Sequence, residues 1–182
     1  MAQGERAGGS CVRREWSAEW SVDLPHPATA PHTHLPHPPD PIAVDFDDAH
    51  LARLNDNPLY RALGIRVGRV AGGAAQATLE PTAAACWPLP AQPHGGVLFT
   101  LVDTTTAWAA MSHGDEGDGC VTVDCSIQYP APARDGPFAC SATTARRSGR
   151  TVFMRAEVLD AHGVPVALAQ ATFRLLKARP AS

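Results

Sequence analysis

The sequence lacks several signatures that would each point to a function. No apolar run approaches the ~20 residues needed to cross a bilayer as a helix. The opening residues, "MAQGERAGGSCVRREW", lack the apolar centre of a signal peptide. Basic residues are in no excess: a formal net charge of -3 provides no positive field for nucleic acid. Neither an RNA-binding signature nor aromatic–basic interleaving appears, so neither nucleic acid nor membrane is expected as a partner. Cys11, Cys86, Cys120, Cys125 and Cys140 are odd in number and form no CxxC pair. They read as reduced thiols of a cytoplasmic protein. Zinc-ligand spacing and a GxSxG elbow are missing, and "SGR" at 148–150 is no phosphate loop. No metal and no cofactor is expected.

What is present fits one domain with a tail. The chain has 182 residues, 45% of them apolar, which is enough for a core. Composition shifts near residue 42. Before it lies "LPHPATAPHTHLPHPPDP", dense in proline and without hydrophobic periodicity, so residues 1–46 are expected to form an extended or disordered leader and 47–178 the domain. His26, His32, His34 and His37 are read as part of a soluble linker rather than a metal site, since short His-rich tracts are only compositional hints. Trp16 and Trp20, four apart, would suit a short docking helix.

From residue 47 the chain becomes regular. "DDAHLARLNDNPLYRALG" carries Leu51, Leu54, Leu59 and Leu63 near helical spacing and predicts one helix stopped by Gly64. A hairpin is expected around Gly72 and Gly73. After the proline-rich loop "CWPLPAQP" comes "PHGGVLFTLVDTTTAWAA", residues 93–110. Four strand-like runs follow and are expected to form an antiparallel meander, with turns at 148–149 and 161–163. A helix against one face of an antiparallel sheet is an α+β architecture.

The central stretch raises one question: why it places a carboxylate, Asp103, in a segment otherwise fit for burial. Val97, Leu98, Leu101, Val102, Thr105, Trp108 and Ala109 form one helical stripe. Gly96, Thr100, Asp103, Ala107 and Ala110 form a second, small apart from the aspartate. Gly95 and Gly96 stand at the helix start, where backbone N–H groups lack intrahelical partners and attract negative charge. An N–H donor paired with a carboxylate is what acyl transfer to water requires. Gly95 and Asp103 are nonetheless eight residues apart, about 12 Å along one helix axis. Two antiparallel helices from a symmetric dimer would bring each Asp103 to the other chain's Gly95. Local pattern alone does not choose between this arrangement and a partly exposed helical charge beside a tight turn.

"HGGVLFTLVD", followed by "VTVDCSIQYPAPARDGPFACSATTARRSGRTVFMRAEVLDAHGVPVALAQATFRLL", resembles the hotdog-fold acyl-CoA thioesterases of the PaaI (phenylacetate-degradation) type over roughly residues 55–176. The resemblance implies an antiparallel sheet wrapped around a central helix, a homodimer or dimer of dimers, and hydrolysis of an acyl-CoA thioester without metal. It makes Asp103 the catalytic carboxylate, Gly95 the N–H that polarises the carbonyl, and Thr122 the hydroxyl that places the water. His94 matches the family histidine before the glycines, shaping the loop more than reacting. Substrate binding is expected at Gly96 and Gln92, with coenzyme A phosphates near the basic turn of Arg147, Gly149 and Arg150, where Arg146 also lies. The family often carries an amide side chain seven residues before the first glycine. Here Pro88 stands there, with Gln92 in the same loop as a substitute. That departure keeps open a non-catalytic acyl-CoA-binding module. An enoyl-CoA hydratase or dehydratase ranks below both, because His94 precedes the helix and stands away from its own Asp103.

Overall fold

The computed structural model describes residues 45–178, apart from 87–91, 116 and 135. Residues 1–44 of the expected leader, with its tryptophans and histidines, lie outside the described residues, as do Trp87 and Pro88, whereas Phe46, assigned to that leader, is hydrogen-bonded to Val70 of the domain. The described chain runs α1 (Asp48–Asn55), α2 (Pro58–Leu63), β1 (Ile65–Ala71), β2 (Ala74–Leu79), a short 3-10 turn (Ala83–Ala85), α3 (Gly95–Met111), β3 (Gly119–Gln128), β4 (Phe138–Ser148), β5 (Thr151–Leu159) and β6 (Pro165–Leu176).

The single helix expected before Gly64 is two helices. Asn57 adopts an extended backbone, caps α2 by accepting from the Leu59 N–H at 2.9 Å, and is followed by Pro58 at the first helical position. Proline has no N–H and crowds the residue before it out of the helical region, so the ladder breaks there. Gly64 does end the second helix, at φ 83, a left-handed cap that glycine adopts without side-chain penalty. The hairpin turn falls on Gly72 and Gly73, at φ 59 and 76, the positive-φ pair that matches strand twist.

Six antiparallel strands form one sheet in the order β1-β2-β4-β5-β6-β3. The hairpin β1–β2 and the meander β4–β5–β6 have the expected local pairing, but β3 does not join the meander beside β4. It lies at the far edge and, among the described residues, pairs only with β6, from Gly119 opposite Leu176 to Gln128 opposite Leu168. Helix α3 packs across one face of the sheet. Leu98, Leu101 and Val102 of the helix and Val67, Leu79, Phe138, Val152 and Phe173 of the strands are all but fully buried. At about 25 cal/mol per Å² of apolar surface removed from water, that layer is the main stabilising term. Thr105 and Thr106, buried within it, donate to the Leu101 and Val102 carbonyls at 2.6 and 2.7 Å, so their hydroxyls are satisfied inside the helix.

The two edges differ. On β1, the Asn55 side chain takes both backbone groups of Val67, its amide nitrogen donating to the carbonyl and its oxygen accepting from the N–H, each at 2.8 Å. The Phe46 N–H donates to the Val70 carbonyl at 3.0 Å. That edge is thereby covered, a standard protection against strand addition. On β3, by contrast, Val121 and Val123 are exposed, Val123 to 64%.

Candidate active site on helix α3 and strand β3

Asp103 sits on the third turn of α3, half-buried, on the side turned towards β3. The Thr122 hydroxyl donates to its Oδ1 at 2.9 Å. Simple alternation along "VTVD" would place Thr122 and Asp124 on the same face. A bulge at Val123 prevents this: Thr122 pairs opposite Phe173, which is buried, and Asp124 opposite Thr172 on the outer face. A bulge inserts one residue and so reverses the facing of side chains on either side of it. Cys120 and Thr122 before it, and Cys125 and Ile127 after it, therefore share the helix side. Burial first, and then the Asp103 charge, push the Cys120 thiol up to about 11, and the same two causes raise Cys125, with Asp124 adding to them. These thiols are protonated bystanders at neutral pH.

The other end of the site is the helix start. His94 is the N-cap, its Nδ1 accepting from the Gly96 N–H at 3.0 Å, and its carbonyl accepts from Val97 N–H at 2.8 Å. An acceptor Nδ1 fixes the neutral ring as the Nε2–H tautomer. Among the described residues none accepts from the Gly95 N–H, the kind of donor that helix starts offer to ligands. The Gly96 N–H is committed to His94. Tyr129, just past β3, donates its hydroxyl to the Gly95 carbonyl at 2.7 Å. Gln92 lies half-buried one turn before the helix.

Three hydrogen bonds thus stitch β3 and the residue after it to α3: Thr122 to Asp103, Tyr129 to Gly95, and the Cys120 thiol to the Ala107 carbonyl at 3.8 Å. The acid and the amide hydrogen of one chain still lie about 12 Å apart along the axis. Phe99 is exposed on the same helix, and Ala107 is half-buried on it. Trp108 has another role: its indole N–H donates to the Tyr60 hydroxyl at 3.0 Å and its ring meets Phe46 edge-on, which is packing of α2 and the N-terminal segment.

The basic turn follows β4. The Arg147 Nε donates to the Gly149 carbonyl at 3.0 Å and the Arg150 Nε to the Leu175 carbonyl at 2.9 Å. Gly149 turns at φ 60. Arg147 opposes Val152, Val152 opposes Phe173, and Phe173 opposes Thr122. The turn is therefore at the Asp103–Thr122 end of the sheet, three strand spacings or about 14 Å across. No group of three or more His, Cys, Asp or Glu with metal-holding geometry occurs among the described residues. No described helix is long and apolar enough to cross a membrane.

The domain resembles known proteins in sequence and in fold. The sequence model of the thioesterase superfamily matches residues 94–167, from the helix cap into β6. Over that stretch the domain is similar to the thioesterase superfamily. Its hotdog architecture is shared with a thioesterase from Haemophilus influenzae, at 20% identity and a TM-score of 0.66, over 72% of this chain and 92% of that one. The PaaI protein from the phenylacetic acid degradation operon of E. coli is 26% identical with a TM-score of 0.61, over 70% and 90%. A conserved protein from Pseudomonas aeruginosa is 28% identical with a TM-score of 0.60, over 66% and 94%. No curated protein matched the sequence.

The candidate site residues divide by how each is legible. Asp103, Gly95 and His94 are legible from local pattern. Tyr129 is a residue that sequence reasoning missed; its one signal is an aromatic closing a strand run just before proline, in "IQYP".

Proposed function

We propose that this hotdog domain is a thioester hydrolase that cleaves acyl-CoA to free acid and coenzyme A, at two sites shared across a homodimer. The observation that carries this reading is the Thr122–Asp103 hydrogen bond on the exposed side of α3. Thr122 spends its one hydrogen on the carboxylate, so its oxygen can only accept from a third group. A water lying between them donates one hydrogen to the free Asp103 oxygen and the other to the Thr122 oxygen. Its lone pair is then turned outwards, towards a carbonyl carbon. Asp103 takes the proton as water attacks, the C–O bond forms, and the carbonyl oxygen becomes an oxyanion. The partner's Gly95 N–H receives that charge at a helix start, where the dipole also favours it. Collapse breaks the C–S bond, and the proton held by Asp103 passes to the departing thiolate.

Sharing follows from the distance. A two-fold axis between antiparallel α3 helices and β3 edges superimposes one acid on the other's amide and covers Val121, Val123 and Phe99. The arginines at the β4–β5 turn stand at the acid end, where they suit the phosphates of coenzyme A. The named relatives, thioesterases among them, support the same reaction class.

Thiol release from aryl-, short- and long-chain acyl-CoAs tests the reaction. Tight binding with no release across the panel would replace it with a binding module. Mixing two variants, each with only residual activity, tests the sharing. Asp103→Ala removes the acid, and Gly95→Pro replaces the N–H with ring carbons at a helix position proline tolerates. Random pairing of the mixed chains makes half of the dimers hybrid, each with one intact site, so about a quarter of the natural activity returns if sites are shared. No recovery in demonstrably mixed dimers refutes the shared site.

A further inference from the structure

The thioesterase reading uses the Gly95 N–H but leaves unexplained what keeps it aimed. Two successive glycines open α3, and glycine is the residue with the most backbone freedom to lose. The first helical turn also has no preceding turn to bond to. The two peptide planes that meet at the Gly95 Cα need separate anchors. The first, between His94 and Gly95, carries the donor N–H; its carbonyl accepts from Val97 N–H at 2.8 Å. The second, between Gly95 and Gly96, is gripped at both ends. Its N–H goes to His94 Nδ1 at 3.0 Å, and its carbonyl receives the Tyr129 hydroxyl at 2.7 Å. A Cβ built on Gly95 would stand 3.5 Å from the Tyr129 ring and hydroxyl, so the phenol lies directly against this pivot.

We propose that Tyr129 is a positioning residue for the amide end of the site: its hydroxyl locks the Gly95–Gly96 peptide, and through the Gly95 pivot fixes the direction of the Gly95 N–H. The inference rests on the hydrolytic reading above. Geometry gives it a second consequence. Phenol, peptide and imidazole form one chain of donors and acceptors, and bonds in such a chain polarise one another. Tyr129 thereby strengthens the His94 cap that starts the helix. Because Tyr129 follows β3 directly, it also couples the position of the edge strand to the aim of the oxyanion donor. The same strand and helix carry Thr122 and, two turns further along, Asp103, so both halves of the site are set by one strand–helix contact.

Tyr129→Phe removes only the oxygen and keeps the ring against Gly95. Losing one hydrogen bond that matters in the transition state lowers kcat by about five- to tenfold, with KM within about twofold. Amide exchange at Gly96 and Val97 quickens at the same time, while the melting temperature falls by no more than a few degrees. A tie that only holds the fold together gives the opposite pattern, a lower melting temperature with kcat retained, and overturns the proposal. In a Gly95→Pro background the N–H is already gone, so adding Tyr129→Phe costs nothing further. An additional loss of similar size there also overturns it. Asp103→Asn, assayed alongside, separates the two claims. If Asp103→Asn abolishes turnover while Tyr129→Phe leaves it intact, only the positioning role fails. If Asp103→Asn turns over normally, the hydrolytic reading fails and this inference goes with it.

Discussion

Asp103→Asn is the sharpest perturbation of this site, because the structure lets its effects be separated. Asparagine has nearly the shape of aspartate, and its carbonyl oxygen can still accept the Thr122 hydroxyl that lies 2.9 Å from Oδ1. What disappears is the charge and the ability to take a proton. A positioned general base contributes about 10²–10⁴ in rate, so kcat should fall by that factor. Folding should respond differently. The carboxylate is half-buried on a largely apolar helix with one described partner, and ionised groups are costly to desolvate. The weaker neutral bond to Thr122 offsets about 1 kcal/mol of the relief. Stability is therefore expected to hold or rise slightly, the pattern of a functional residue kept at the expense of stability. Release of free thiol from a reactive acyl-CoA measures the first effect, and thermal melting of the same preparation the second. A well-folded Asp103→Asn protein with kcat within about threefold of the natural one would refute the acid–base reasoning, since even the weakest such base is worth about 10².

Other outcomes follow from single contacts. Thr122→Val keeps volume but removes the hydroxyl that orients both carboxylate and water, so kcat falls with little change in KM; unchanged kcat would remove Thr122 from the site. Removing the Asp103 charge also lowers the thiol pKa of Cys120 and Cys125, which it helps to raise, and leaves Cys140, held at about 12 chiefly by burial, where it is; titration of thiolate absorbance in Asp103→Asn checks this. Asn55→Ala strips the β1 edge of its bonds to Val67 and of a third to the Leu51 carbonyl, for a loss of about 2–4 kcal/mol in urea unfolding; a loss under about 0.5 would show the edge to be held otherwise. Asp118 is kept below the usual carboxylate range by Lys177, and then by the Ala178 and Asp115 N–H groups. Its contribution to stability is complete above its unfolded pKa of about 3.9 and is lost as pH falls through the lower folded value. Asp118→Ala should flatten the melting temperature across that acid range, and an unaltered slope would exclude the clasp.

Much of this domain was written locally. Helical spacing from Val97 to Ala109 put the buried stripe of α3 on the page, and the glycine pair put its start there, because a 3.6-residue period and a missing side chain are properties of neighbouring residues. Hairpins were legible for the same reason, since Gly72, Gly73 and Gly149 turn within a few residues of the strands they join. The split at Pro58 was present in the sequence too, but leucine spacing continued across it and masked the break. Pairing of β3 with β6 rather than β4 was not local. It brings together residues some 50 apart, and no periodicity encodes which edge a strand will choose. The bulge at Val123 depends on that pairing, since a bulge exists only relative to a partner strand. Through it the tertiary structure decided that Thr122 faces Asp103 and that Tyr129 reaches Gly95. Sequence supplied the acid, the glycines and the helix that carries them; folding alone brought the Thr122 and Tyr129 hydroxyls onto them, because those contacts belong to a strand placed by its packing.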